Sequence, residues 1–119
     1  EHLVNVEEVL SKLYLCQKYG GISYHEIDFT GHDVKNKFWI YSYEWELDKE
    51  SVSNLNGWRL SDYTNFYKKL GARVIIINKM LANRDLLNKN TINKRFKRYS
   101  FDELRVSSAG LIILKDTKR

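Results

Sequence analysis

Four consecutive β-branched residues, Val74-Ile75-Ile76-Ile77, follow Gly71, and before that glycine Leu60, Tyr63, Phe66, Tyr67 and Leu70 recur at helical spacing. A helix over roughly 59–70, stopped by a glycine and leading into an apolar strand, must bury one stripe of the helix against a pleated surface. That unit belongs to a layered α/β fold. The uninterrupted apolar run predicts a strand covered on both faces, and therefore a central one.

The rest of the chain fits around this unit. Asn5 followed by Glu8 has the form of a capping box, and Val6, Val9, Leu10, Leu13 and Cys16 predict a helix over 6–19 that Gly20-Gly21 terminates. Ile22 to Phe29 and Phe38 to Leu47 read as strands, with Thr30 to Lys37 as the hairpin between them and a loop over Asp48 to Gly57. Lys79 to Tyr99 reads as mainly helical, two short helices divided near Asn90-Thr91 with Leu81, Leu86, Leu87, Ile92 and Phe96 facing inward. Ser100 and Glu103 cap one more short helix, and Leu111 to Lys115 forms a last strand. The expected order is α-β-β-α-β-α-α-β, a single α/β domain over 1–119 with a mixed sheet of about four strands flanked by helices.

At 119 residues, with 43% hydrophobic and 13% aromatic residues, the chain suits one domain with a real core and not a disordered segment. The single cysteine, Cys16, excludes a disulfide framework and a Cys-rich zinc site, and points to a reducing compartment. No apolar run approaches the roughly 18 residues of a membrane span, and no signal peptide opens the chain. The expectation is a soluble intracellular protein, cytoplasmic or nuclear, with no membrane partner. Glu1 stands where a Met would begin a full chain, which leaves open a domain of a larger protein or a chain lacking its leading residues.

Charge divides sharply along the sequence. Residues 1–60 carry six Lys/Arg against ten Asp/Glu, a net of −4, while residues 61–119 carry fourteen against five, a net of +9, which together give the chain its +5. A basic half of this kind predicts an anionic partner, DNA or RNA. The segment richest in cations holds Arg84, Lys89, Lys94, Arg95, Lys97 and Arg98, with Phe96 and Tyr99 interleaved. On a helix Lys94, Arg95 and Arg98 project to one side, where they would neutralise phosphates and release counterions. The alternatives are a solvated helical face, or acidic elements packed on basic ones.

Carboxylates gather before this segment. Tyr24, Glu26 and Asp28 share one strand face, and Phe38, Ile40, Ser42, Glu44 and Glu46 share one in the next strand, because side chains alternate with period two. A hairpin register that pairs even positions brings Asp28 to the side of Glu44 and Glu46, and a slip by one separates them. Clustered carboxylates repel unless a hard divalent cation sits among them, and magnesium is the natural guest. His2, His25 and His32 have no zinc-motif spacing and read as ordinary residues, while Trp39, Trp45 and Trp58 read as core ahead of base-stacking platforms.

EIDF at 26–29, FWIYSYEWEL at 38–47 and an amphipathic helix ending in KKLGARVIII at 68–77 resemble the core of the PD-(D/E)xK nuclease superfamily, over about half of the chain. The resemblance implies that Asp28 and Glu44 bind magnesium and that Glu46 takes the position of the usual lysine, with Lys49 near enough to replace it. It also matches Glu7 to an acidic residue that some members carry on the first helix. The departure at Glu46 leaves two readings. One is a magnesium-dependent endonuclease, and the other is a noncatalytic nucleic-acid or protein interaction module of a larger protein.

Overall fold

The computed structural model describes residues 2–30, 56–87, 92 and 94–116. Along the chain these form helix α1 (Val6–Cys16), strand β1 (Ile22–Asp28), helix α2 (Leu60–Lys69), strand β2 (Arg73–Leu81), two 3-10 turns (Arg84–Leu86 and Lys94–Phe96), the one-turn helix α3 (Phe101–Leu104) and strand β3 (Val106–Leu114). The sheet order is β1-β3-β2, with both pairings antiparallel. The chain is thus a mixture of helices and strands, as expected, but the sheet of the described residues has three antiparallel strands and not four mixed ones. The expected strand over Phe38–Leu47 lies outside the described residues.

Two further expectations are corrected. β2 is not central among the described strands; β3 is, and its Leu111 and Ile113 are 0% exposed whereas Ile75 and Ile76 in β2 remain 49% and 44% exposed. An apolar run reports β propensity, while coverage is decided by which strand has neighbours on both sides. Among the described residues of Lys79–Tyr99, the expected helices give way to an extension of β2 to Leu81 and two three-residue 3-10 turns, while residues 88–91 and 93 lie outside the described residues. Asn83 explains the first turn, because its side chain accepts a hydrogen bond from the Asp85 amide at 3.1 Å and competes with helix formation.

α1 and α2 lie on one face of the sheet. Val6, Leu10 and Tyr14, spaced four apart, meet Ile27, Tyr63, Tyr67, Leu111 and Ile113 in a single core. Each fully buried Leu or Ile there is worth about 1.5–3 kcal/mol. Leu13 faces outward, and Asn5 makes no side-chain cap, so the expected capping box at α1 is not formed. The other end of α1 is capped from afar: Lys115 Nζ donates to the Tyr14 and Leu15 carbonyls at 3.0 and 3.2 Å. That ammonium serves a helix whose own last turn has no basic residue. A second cluster of Leu87, Ile92, Phe96 and Leu104 packs beside the main core.

α2 begins at Arg59, whose backbone amide donates to Asp62 Oδ2 at 2.7 Å, while the Ser61 amide donates to Glu103 Oε1 at 2.8 Å. It ends at Gly71 in the left-handed region (φ 85°), as the sequence predicts. The Arg59 side chain is itself interior, 1% exposed, and stacks over Phe29 at 4.7 Å. Its Nη1 and Nη2 donate to the carbonyls of Phe29 and Val106, each at 2.9 Å, so one guanidinium ties the end of β1 to the start of β3. On the opposite face of the sheet Tyr24 and Ile77 close over Gly110, where a Cβ would lie within 2.9 Å of both side chains. Ile22, Tyr24 and Ile75 on that face are exposed.

Candidate nucleic-acid interface

The basic segment after β2 is built on two aromatic anchors. Phe96 is 0% exposed, and the Tyr99 hydroxyl donates to Asp62 Oδ2 at the start of α2. Burial first, and then the bond to Asp62, push the Tyr99 phenol up to about 12. With Phe96 and Tyr99 held, the charged residues around them are left on the outside: Lys94, Arg95, Lys97 and Arg98 are all exposed. A 3-10 turn, and not the expected α-helix, sets their directions.

These four cations divide into two pairs. Arg95 Nη2 donates to the Asn56 carbonyl at 2.9 Å and lies against Gly57, which holds φ at 75° and would place a Cβ 2.8 Å from that nitrogen. Arg98 covers the Tyr99 ring at 4.6 Å and reaches Asp62 Oδ1 at 3.4 Å. The Tyr99 hydrogen bond, more than the Asp62 charge, raises the Arg98 pKa further. Both arginines therefore brace the loop that starts α2 while keeping much of their surface in water. Lys94 and Lys97 carry the exposed charge beside them. Arg84, in the first 3-10 turn, pairs with Asp102 at 3.5 Å.

No family model, curated protein or solved structure matches this chain.

The candidate residues of the carboxylate reading are placed unevenly. Glu26 and Asp28 do share the face of β1 turned away from the helices, since Ile27 between them is buried in the core. Asp28 Oδ1 accepts from the Thr30 amide at 2.8 Å and from the Thr30 hydroxyl at 2.7 Å, a turn that closes the end of the strand. Glu7 is exposed in the first turn of α1, in a groove that also contains Asn56 and Trp58. Glu44, Glu46, Lys49 and Lys89 lie outside the described residues. Among the described residues no three His, Cys, Asp or Glu side chains gather closely enough to hold a metal ion.

Several side chains in or near this surface escape sequence reasoning. His25 sits half-buried with Nε2 3.1 Å from the Tyr67 hydroxyl and 3.4 Å from Ser23 Oγ, while Ser23 Oγ donates to Gln17 Oε1. Burial lowers the His25 pKa and pushes the Tyr67 phenol up to about 12, so at neutral pH a protonated phenol meets a neutral imidazole. Lys79 and Arg105 flank Arg84 around a groove of about 390 Å³. Only their charge is visible in the sequence; a strand irregularity and a hydrogen bond to a distant carbonyl bring them together. No helix among the described residues is long and apolar enough to cross a membrane.

Proposed function

We propose that this chain binds nucleic acid through the exposed cations arranged around the buried Phe96. The observation that carries this reading is the separation of roles in the segment. Phe96 and Tyr99 anchor it, Arg95 and Arg98 are fixed by backbone and Asp62 interactions, and Lys94 and Lys97 are presented to solvent from that rigid base. A backbone anchored by Phe96 and Tyr99 has less freedom to lose when its exposed cations meet a phosphate than a loose tail has. Phosphate pairing of this type gives sequence-independent affinity that falls with salt. The test is fluorescence anisotropy with single- and double-stranded oligonucleotides across a salt series. Lys94→Ala with Lys97→Ala should weaken binding and reduce the salt slope by about one for each phosphate that the variant no longer neutralises. An absence of binding to every strand type at low salt rejects the reading.

A second reading adds cleavage to binding, and the pairing of Glu26 with Asp28 on one strand face favours it. The two described carboxylates do not by themselves make a complete magnesium site. When bound, magnesium would supply a hydroxide and stabilise charge on a phosphodiester. Asp28→Ala should then abolish magnesium-dependent cleavage while binding persists; cleavage by the variant at the wild-type rate removes Asp28 from any such role.

A further inference from the structure

We propose that the groove between β2 and α3 seats a phosphate monoester, the terminal phosphate of a bound nucleic-acid strand, an inference that rests on the nucleic-acid reading above. Three features converge there. The first is a break in β2: its pairing with β3 slips between Ile77 and Met80, and Asn78 adopts a left-handed backbone (φ 50°). Side chains in a regular strand alternate, and a bulge re-aims the residues beside it. Here Ile77 and Met80 oppose Gly110 and Ser108, and Lys79 between them lines the groove instead. Asparagine takes this conformation more readily than other non-glycine residues, which suits it to the break.

The second feature is a pair of guanidinium groups on one oxygen. Arg84 Nη2 lies 3.5 Å and Arg105 Nη1 3.0 Å from Asp102 Oδ1. Arg105 is fixed, 16% exposed with Nε donating to the Ala82 carbonyl at 2.9 Å, whereas Arg84 and Asp102 are 68% and 67% exposed. A carboxylate between two arginines marks a position that a phosphate oxygen would also satisfy, with the same geometry and more charge. Exposed ion pairs are weak, so Asp102 can turn to water and yield that position at little cost.

The third feature is the charge that remains. With Asp102 turned away, Lys79, Arg84 and Arg105 face Glu103, whose Oε1 is already committed to the Ser61 amide. With Asp102 counted, three positive charges stand against two negative, a net of +1 in the groove. A phosphate monoester near neutral pH carries about −1.5 to −2, while a backbone diester carries a single charge. A monoester offers three terminal oxygens to the three cations and a backbone diester only two, so the groove favours a strand end over the interior of a strand. Ser100 lines the same groove, though its oxygen already accepts the Glu103 amide at 3.1 Å. Leu104 of α3 packs with Phe96 in one cluster, so the helix that walls the groove lies beside the basic segment.

Anisotropy titrations of the whole chain test this with one oligonucleotide made three ways, bearing a 5′-phosphate, a 3′-phosphate or neither. One of the phosphorylated strands should bind about tenfold tighter than the unphosphorylated strand, the scale of one or two charge-assisted hydrogen bonds. Asp102→Asn removes the internal competitor and should widen that ratio, while Lys79→Ala, an exposed position that leaves the fold intact, should bring it toward one. Equal binding of all three strands overturns the groove assignment and leaves the nucleic-acid reading standing. If no strand binds, the nucleic-acid reading fails, and inorganic phosphate alone, titrated against wild type and Lys79→Ala, decides the groove. Saturable binding that disappears in the variant keeps it as a phosphate site, and no binding overturns it.

Discussion

The molecule uses its cations in two opposite ways. Arg59 and Lys115 are buried, 1% and 9% exposed, and their nitrogens donate to backbone carbonyls at the ends of β1 and α1 and at the start of β3. Lys79, Arg84, Lys94 and Lys97 are exposed, around a groove and along a turn. The difference teaches that the charge split in the sequence is not a map of a binding surface. Lys115 belongs to the basic half and caps a helix, and Arg59 belongs to the acidic half and ties two strands together. What separates the classes is burial: the interior cations are met by backbone carbonyls, the outer ones by water or by groups that are themselves exposed.

The comparison breaks most visibly at Arg59. Arg59→Met keeps an unbranched stem over Phe29 but removes two donors, so the Phe29 and Val106 carbonyls lose interior partners. A buried acceptor left without its partner costs about 1–3 kcal/mol, so the loss of unfolding free energy for the two should be about 2–6 kcal/mol. Urea denaturation measures it. A loss below about 1 kcal/mol, the ordinary scale of a surface change, would place Arg59 among the exposed cations in energetic terms. Lys115→Met comes next. It keeps an unbranched stem and deletes an ammonium that serves two carbonyls of a helix end and lies 5.0 Å from the Tyr14 and Tyr19 ring centres, for an expected loss of about 1–3 kcal/mol. The paired Lys94 and Lys97 substitutions, by contrast, should leave the urea midpoint in place and alter binding alone.

Legibility in the sequence follows the same division. Local signals are readable: Gly71 ends α2, Ser100 caps α3, and the stripe Leu60, Tyr63, Tyr67 points inward, because each depends on residues within one or two turns. Long-range decisions are not. That β3 and not β2 is central depends on pairing between residues over thirty positions apart, and nothing in Val74 to Ile77 encodes it. The Asn5 box fails although its residues are correct, since capping also requires a backbone that presents the side chain to the amide. At the candidate interface the cations of 84–98 stand out by composition, yet their division into braces and exposed charges depends on Asn56, Gly57 and Asp62. Lys79 and Arg105 are invisible as a pair because a strand break and the Ala82 carbonyl position them.

Between the buried and the exposed cations stands His25. His25 is half-buried, partway toward the structural cations, but its Nε2 faces a phenol and a hydroxyl and no carbonyl. If interior charge is tolerated only where carbonyls meet it, protonating this imidazole must cost stability. Burial lowers its pKa, so the unfolded chain takes up the proton first as pH falls. Stability linked to His25 is therefore fully present above the ordinary histidine value of about 6.5 and is lost as pH drops from there through the lower folded value. Partial exposure keeps this loss below those at Arg59 and Lys115. His25→Gln retains an acceptor that the Tyr67 hydroxyl can reach and does not titrate, so the decline in urea midpoint over that acidic window should be shallower in the variant than in the wild type. Parallel curves would mean that the interior accommodates a cation here without a carbonyl, and the rule drawn from Arg59 and Lys115 would not extend to this edge of the core.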